Sequence, residues 1–448
     1  MTNDASSAND ASSAGVSASS PADVTLPFKG VVAVVIGNWL EFYDFLVFTF
    51  FAVMIGDAFF PAESQFGRLL AALATFGVGF VTRPLGAAII GPYADRAGRR
   101  AALTLTLLMM AIGSVMVALT PPYAQIGIAA PILLVVARLI QGFSCGGEVG
   151  PATTYLLESA PASKRAALTA WQAYSQQLAV LMGSGLGLIL AATLTKDDLY
   201  SWGWRIPFLL GIVVAPVGIY IRRSLPETIA PTQTQRSTGH VLGELGRHHS
   251  RAVVLGICII CGGTISTYVL TYMTTYAITT LHLSATIGNA LNFTGSIAQI
   301  AGFAAGVWLD RFGRKRMLIA TRVLFVASVF PAFSLLTSPH ATPQTILVTN
   351  LILSFVFATT IGAVYAFLAE AFPQSVRSSG LAILYALGVS IFGGTTQFVV
   401  AWLIEATGDP MVPAYYQIVA NMAGIIGVSL LVPDAEVAHE RAAQLVRA

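Results

Sequence analysis

Glu41, Asp44, Arg83, Arg138 and Glu148 all stand inside long apolar stretches, where a charge is expensive and needs a reason. Glu41 and Asp44 sit three residues apart in one stretch, so on a helix they share a face. At about 1.5 Å per residue, Glu41 falls near the middle of its segment. Arg138 falls about 10 Å inside a segment of opposite direction, so the three groups can reach a common level. Gln141 adds an amide at i+3 from Arg138. An acid beside a guanidinium stays ionised; when an anion competes for the guanidinium, the acid takes up a proton. Glu41, Asp44, Arg138 and Glu148 are therefore proton-coupling candidates. A static ion pair joining two helices is the plainer reading of Glu41 with Arg138. Glu148, in a glycine-rich run, suits either a second proton site or a structural partner for an arginine near the membrane face.

A polyanionic solute also needs further cations and neutral donors. Arg83, beside Pro84, fits a substrate contact, a gate, or a side chain snorkelling to the interface. Gln172, Ser175 and Gln176 form one polar helix face. Thr264, Thr267, Tyr268, Thr271, Tyr272, Thr275 and Tyr276 form a hydroxyl stripe, and Asn289, Asn292, Ser296 and Gln299 a third polar row. Such rows must face protein or water rather than lipid, as cavity lining or as helix–helix hydrogen bonds. The substrate-binding candidates are Asn38, Tyr43, Arg83, Arg138, Gln141, Gln172, Ser175, Gln176, Thr271, Tyr272, Thr275 and Tyr276.

The elements that must position these groups are transmembrane helices. Of 448 residues, 55% are hydrophobic and 10% charged, against about 25% charged in a typical soluble protein. Apolar runs long enough to cross a bilayer fall at 30–56, 66–92, 101–120, 130–157, 166–194 and 204–222, then at 251–280, 286–309, 317–337, 344–370, 378–405 and 414–432. The expectation is an all-α membrane protein of twelve helices in two six-helix bundles. Residues 29–222 form the first bundle and 251–433 the second, with a linker at 223–250 and tails at 1–28 and 434–448. The tail at 1–28 has no basic residue, unlike a signal peptide, and reads as disordered.

Gly91-Pro-Tyr-Ala-Asp95-Arg96-Ala-Gly98-Arg99-Arg100 returns as Gly306-Val-Trp-Leu-Asp310-Arg311-Phe-Gly313-Arg314-Lys315, each joining one apolar run to the next. Glu158-Ser-Ala-Pro161 before Arg165 is echoed by Glu370-Ala-Phe-Pro373 before Arg377. The halves are therefore homologous, an arrangement that places a solute site at their interface. The repeated turns read as gating machinery: Asp95, Arg96, Arg99, Asp310, Arg311 and Arg314. Basic residues concentrate on one side of the predicted spans, which puts both termini in the cytoplasm. Cys145, Cys258 and Cys261 lie in apolar segments without His or acidic partners, so they read as packing residues, with no disulfide and no metal.

These motifs resemble the major facilitator superfamily from Lys29 to Pro433. Arg138-Leu-Ile-Gln141-Gly142 resembles its fourth-helix motif, and Gly37-Asn-Trp-Leu-Glu41-Phe-Tyr43-Asp44-Phe, Arg83-Pro84-Leu-Gly86 and Trp202-Gly-Trp204-Arg205-Ile-Pro207-Phe look like its metabolite:proton symporter branch. Phe59-Phe60-Pro61-Ala-Glu63-Ser, Trp171-Gln172-Ala-Tyr-Ser175-Gln176-Gln177 and Ile391-Phe-Gly393-Gly394 look most like citrate and tricarballylate symporters. Osmolyte, shikimate and oxoglutarate members tend to carry Trp where this chain has Phe42. The resemblance implies proton-coupled symport of an organic acid, citrate or a related tricarboxylate, by alternating access across a bacterial inner membrane. A dicarboxylate, a shikimate-like acid or a zwitterionic osmolyte are the alternatives. No phosphate-binding loop, nucleophile–base set or metal cluster is present to support a pump or a membrane enzyme. A channel or receptor is the alternative from another class. The expected partners are a small organic acid, protons and lipid, with no cofactor, no nucleic acid, and a monomer as the working unit.

Overall fold

A computed structural model describes residues 28–158, 165–211, 216, 250–362, 364, 367–368, 371–372 and 377–431. Within these ranges, the side chains of residues 28–30, 95, 99, 149–170, 310, 377–380 and 382–383 are not among those described. The expected tails and the linker at 223–250 lie, apart from edge residues, outside the described residues.

The first half contains α1 (Phe28–Phe50), α2 (Ala52–Phe59), α3 (Gln65–Val81), α4 (Arg83–Ala97), α5 (Arg99–Leu119), α6 (Tyr123–Ile126), α7 (Ala129–Glu158), α8 (Arg165–Thr193) and α9 (Lys196–Ser201). The second contains α10 (Ser250–Thr279), α11 (Ala285–Leu309), α12 (Arg314–Leu336), α13 (Pro343–Thr359), α14 (Arg377–Gly388), α15 (Gly394–Thr407) and α16 (Val412–Leu430). Among the described residues, nine helices are long and apolar enough to cross a bilayer, α3 with α4 counting as one and α14 with α15 as another. The shorter α13 and the 19-residue α16 add two more, and of the expected span at 204–222 the described stretch 206–211 is helical.

Local chemistry sets the ends. Ser64 accepts from Gly67 N and caps α3, and Thr342 accepts from Thr345 N ahead of Pro343 at the start of α13. The repeated charged turns pivot on matching glycines, Gly98 at φ 95° and Gly313 at φ 103°, a region that a side chain would strain. Lys315 Nζ and Arg251 Nη2 reach the Leu431 and Leu430 carbonyls at 3.2 and 3.5 Å, placing cations at the negative end of α16.

Within the first half, small residues let backbones approach. A Cβ on Gly142 of α7 would overlap the Gly79 carbonyl of α3, and one on Gly146 the Arg83 carbonyl of α4. The halves meet along α3 with α15 and α8 with α11. At those seams Gly77 lies against Gly394, and Gly185 and Gly187 against Phe293 and Asn289. A π-helical turn at Val389–Gly393 joins α14 to α15, and its Gly393 packs on Phe80 and Tyr268. Such single turns are frequent at functional sites.

Candidate functional site

Two networks fill the first half. Arg138 is fully buried; its Nη1 donates to Gln141 Oε1 at 2.6 Å and to Phe45 O at 3.3 Å. Gln141 Nε2 donates to Ser114 Oγ at 3.1 Å, and Ser114 lies beside Asp44. Asp44 Oδ1 packs on Gly211, where only a glycine leaves room. Arg138 thus connects to Asp44 through an amide and a hydroxyl.

The expected ion pair between Glu41 and Arg138 is not formed. Glu41 Oε1 contacts Ser144 Oγ at 2.9 Å, while Arg138 reaches helix α1 four residues later, at the Phe45 carbonyl. Four residues of helix rise about 6 Å, which is enough to separate an acid from a guanidinium. Ser144 also contacts the Thr106 carbonyl, and Thr106 donates to Glu148 Oε2 at 3.1 Å. Glu41 and Glu148 therefore belong to a second network, bridged by hydroxyls of α7 and α5.

Aromatic faces surround the guanidiniums. Arg138 stands 4.4, 4.8 and 5.1 Å from the rings of Phe45, Phe48 and Phe76. Arg83 stands 4.5 and 4.1 Å from Phe45 and Phe80. Cation–π attraction offsets part of the desolvation that burial imposes. Nε and Nη2 of both arginines have no hydrogen-bond partner among the described residues. Tyr268 caps this box, edge-on to Phe80 at 5.4 Å, and divides it from the polar cavity at the seam.

That cavity, about 80 Å³, is lined by Phe42 of α1, Gln176 and Gln177 of α8, Thr264, Thr267 and Tyr268 of α10, Arg322 of α12 and Tyr385 of α14, among others. It is smaller than the roughly 300 Å³ of ordinary small-molecule sites, so the bundles are drawn in around it. Arg322 is its cation, fully buried, with no acid paired to it among the described residues. Nη2 donates to Ile259 O at 3.0 Å, while Nε and Nη1 have no partner among the described residues. Gly262 and Gly424 leave the space its Nη1 occupies. A larger hollow of about 600 Å³ along α1 and α8, walled by Val35, Trp39, Leu178 and Ile189, is apolar and suits lipid chains.

The remaining sequence candidates divide. Gln176 lines the cavity. Asn38 Nδ2 donates to Ser175 Oγ at 2.6 Å and to Gln172 O at 3.2 Å, tying α1 to α8. Tyr43 donates to Pro207 O at 2.9 Å, and Tyr276 to Pro410 O at 2.7 Å. Thr271 returns its hydroxyl to Thr267 O, and Tyr272 and Thr275 are buried in packing. In this conformation the cavity thus takes the earlier part of the α10 stripe, Thr264 to Tyr268, rather than Thr271 to Tyr276. Among the gating candidates, Arg96 is exposed, Arg311 lies 3.6 Å over the Trp308 ring, and Arg314 is half-buried. The side chains of Asp95, Arg99 and Asp310 lie outside the described residues.

Sequence reasoning passed over Arg322. It stands five residues into its apolar run; its signal was a basic residue on the same face as buried Phe325 and Val329. Gln177 entered only as the last residue of a run resembling citrate symporters, and Tyr385 carried no pattern of its own.

A bilayer-spanning helical pair of bundles with a polar cavity at their seam defines a membrane transporter. Residues 30–236 match the family model for sugar (and other) transporters, and residues 296–447 match that for the Major Facilitator Superfamily. The chain is 35% identical over 418 residues to a citrate-proton symporter of Klebsiella pneumoniae, covering 92% of this chain and 93% of that one. It is 32% identical over 412 residues to the glycine betaine/proline/ectoine/pipecolic acid transporter OusA of Dickeya dadantii, covering 89% and 82%. The crystal structure of a D-xylose-proton symporter shares the fold, with TM-score 0.73, 20% identity, and 91% and 98% coverage. The chain belongs to the major facilitator superfamily.

Proposed function

We propose that this protein is a proton-coupled symporter of an organic acid, of the size and charge of citrate or a related tricarboxylate, working by alternating access. The observation that carries the reading is Arg322: a buried guanidinium on the cavity wall, with two of its nitrogens unpartnered and no acid paired to it among the described residues. A buried cation without a counter-ion is costly, and an anionic cargo is the chemistry that relieves it. Gln176, Gln177, Thr264 and Thr267 supply neutral polar groups for further carboxylate oxygens. Likeness to a citrate-proton symporter over nearly the whole chain supports the same substrate class.

The acids of the first half supply the proton side. Glu41 and Asp44 are buried, each with an oxygen that lacks a partner, and neither joins an ion pair among the described residues. Arg83 and Arg138 lie behind Tyr268, where a change of conformation can bring them into contact with cargo. The repeated loops, with Asp95, Arg96, Arg99, Asp310, Arg311 and Arg314, act as the gate. Basic turns on one side support a bacterial inner-membrane location with both termini cytoplasmic.

A second reading has its own observation. Phe42, Tyr268 and Tyr385 line the same cavity, and aromatic faces attract quaternary ammonium groups. A zwitterion such as betaine would then place its carboxylate on Arg322. Thermal-shift measurements of the purified protein against organic acids and zwitterions separate the two. The organic-acid reading expects stabilisation by tricarboxylates, with counterflow of the labelled acid in proteoliposomes. Stabilisation by betaine or proline alone contradicts it.

A further inference from the structure

The eleventh expected span, α14 with α15, is interrupted by the π-helical turn Val389–Gly393. Such a turn holds one residue more than an α-helix needs. That residue decides which side chains share a face. Tyr385 and Gly393 stand eight apart, and at about 100° per residue a continuous α-helix would set them roughly 80° out of line. With one step taken up by the turn they come to within about 20°. Tyr385 and Val389 line the polar cavity. Gly393 lies against the rings of Phe80 and Tyr268, where a Cβ would crowd both. Phe80 belongs to α3 in the other half, and Gly394 meets Gly77 of α3 backbone to backbone. One stretch of helix therefore joins the cavity wall to the seam between the bundles.

The two ends of this stretch are held. Leu384 packs on Gly256 of α10, and beyond the turn Gln397 Nε2 reaches Tyr268 O at 3.4 Å. Between the ends the ties are few. Ser390 Oγ, one residue along from the cavity wall, is buried with no hydrogen-bond partner among the described residues. Ile391 faces outward, 52% exposed. Thr395 and Thr396 donate their hydroxyls to the carbonyls of Ile391 and Phe392, so those carbonyls keep a donor when their backbone partner changes.

An extra residue moves along a helix without turning either end, and each residue it passes rotates by about 100°. Moved one helical turn towards α14, it would carry Ser390 into the direction that Val389 now takes, and Val389 into that of Gly388. A Cβ at Gly388 would crowd Ile260 of α10, so the shift waits until α10 draws aside. We infer that this turn is a movable register element: in the present conformation it shows Val389 to the cavity, and after α10 moves it shows the Ser390 hydroxyl instead. An apolar wall is thereby exchanged for a polar one in step with the packing of α10. That the hydroxyl serves a cargo rests on the transport reading above; the movement itself does not.

Two measurements on the full-length protein in proteoliposomes test this. In substrate-free hydrogen exchange, the amides of 389–393 are expected to exchange faster than those of 398–405 on the same helix. Deletion of Ile391 removes the extra residue and leaves both arms on their present faces, so it should abolish that difference. In counterflow of labelled citrate, the deletion should lower the rate by roughly tenfold or more, because the register is locked, while citrate binding is kept. Ser390→Ala should lower the rate several-fold; a serine that stayed buried and unpartnered would be replaced without loss. Turn amides as slow as those of 398–405 in the wild type overturn the inference, as does unchanged counterflow in Ser390→Ala. If the deletion does not insert, Ser390→Ala decides. If the wild type shows no citrate counterflow, the organic-acid reading fails and the exchange measurement still decides the movement.

Discussion

The two halves share a turn motif and a helix plan but divide their charges differently. In the first half, Glu41, Asp44, Arg83 and Arg138 are buried, and they are met by aromatic rings, amides and hydroxyls rather than by one another. In the second, among the described residues, one buried guanidinium, Arg322, lies on the cavity wall among neutral polar groups. Packing differs too: the glycines of α3, α4 and α7 bring backbone against backbone, whereas Gly262 and Gly424 make room for the end of a side chain. On the proposed function, this duplicated fold would keep its gate twice while giving proton handling to one copy and anion recognition to the other.

This contrast can be broken or sharpened by substitution. Arg322→Gln is expected to have the largest effect, a loss of at least roughly 100-fold in affinity for a tricarboxylate, because the anion loses its buried partner; binding calorimetry reads it. Glu41→Gln should lower proton-driven accumulation to passive equilibration while counterflow stays detectable, as measured with labelled substrate in proteoliposomes. Gly142→Ala should lower thermal stability by about 1–3 kcal/mol, since its Cβ meets the backbone of α3. Gly424→Ala should instead displace the flexible end of Arg322 and weaken substrate binding several-fold, with little change in melting temperature. Asp57→Ala removes a half-exposed 2.7 Å ion pair with Arg68 and should cost only about 0.2–1 kcal/mol.

Much of the fold was readable because its signals are long. Twenty apolar residues make a membrane helix whatever their order, and the paired turns around Gly98 and Gly313 announce the duplication. The site was harder for three physical reasons. Depth counted along straight helices put Glu41 and Arg138 level, whereas the hydrogen bond that Arg138 makes to α1 falls a turn further along, at Phe45 O. Hydroxyl stripes do not tell a cavity from self-satisfied packing: Thr271 returns its proton to a carbonyl four residues back. Arg322 was passed over because sequence gives no sign of the two glycines, Gly262 and Gly424, that leave room for its head. The aromatic box around Arg83 and Arg138 was equally hidden, its phenylalanines being spread over α1 and α3.

The division of labour between the halves is tested most directly by measuring tricarboxylate binding and substrate-driven proton movement together, in Arg322→Gln and Glu41→Gln proteoliposomes carrying a pH indicator. The account predicts that Arg322→Gln loses binding, and that Glu41→Gln binds substrate but moves it without a proton. Normal tricarboxylate binding in Arg322→Gln, or full proton co-transport in Glu41→Gln, would contradict it.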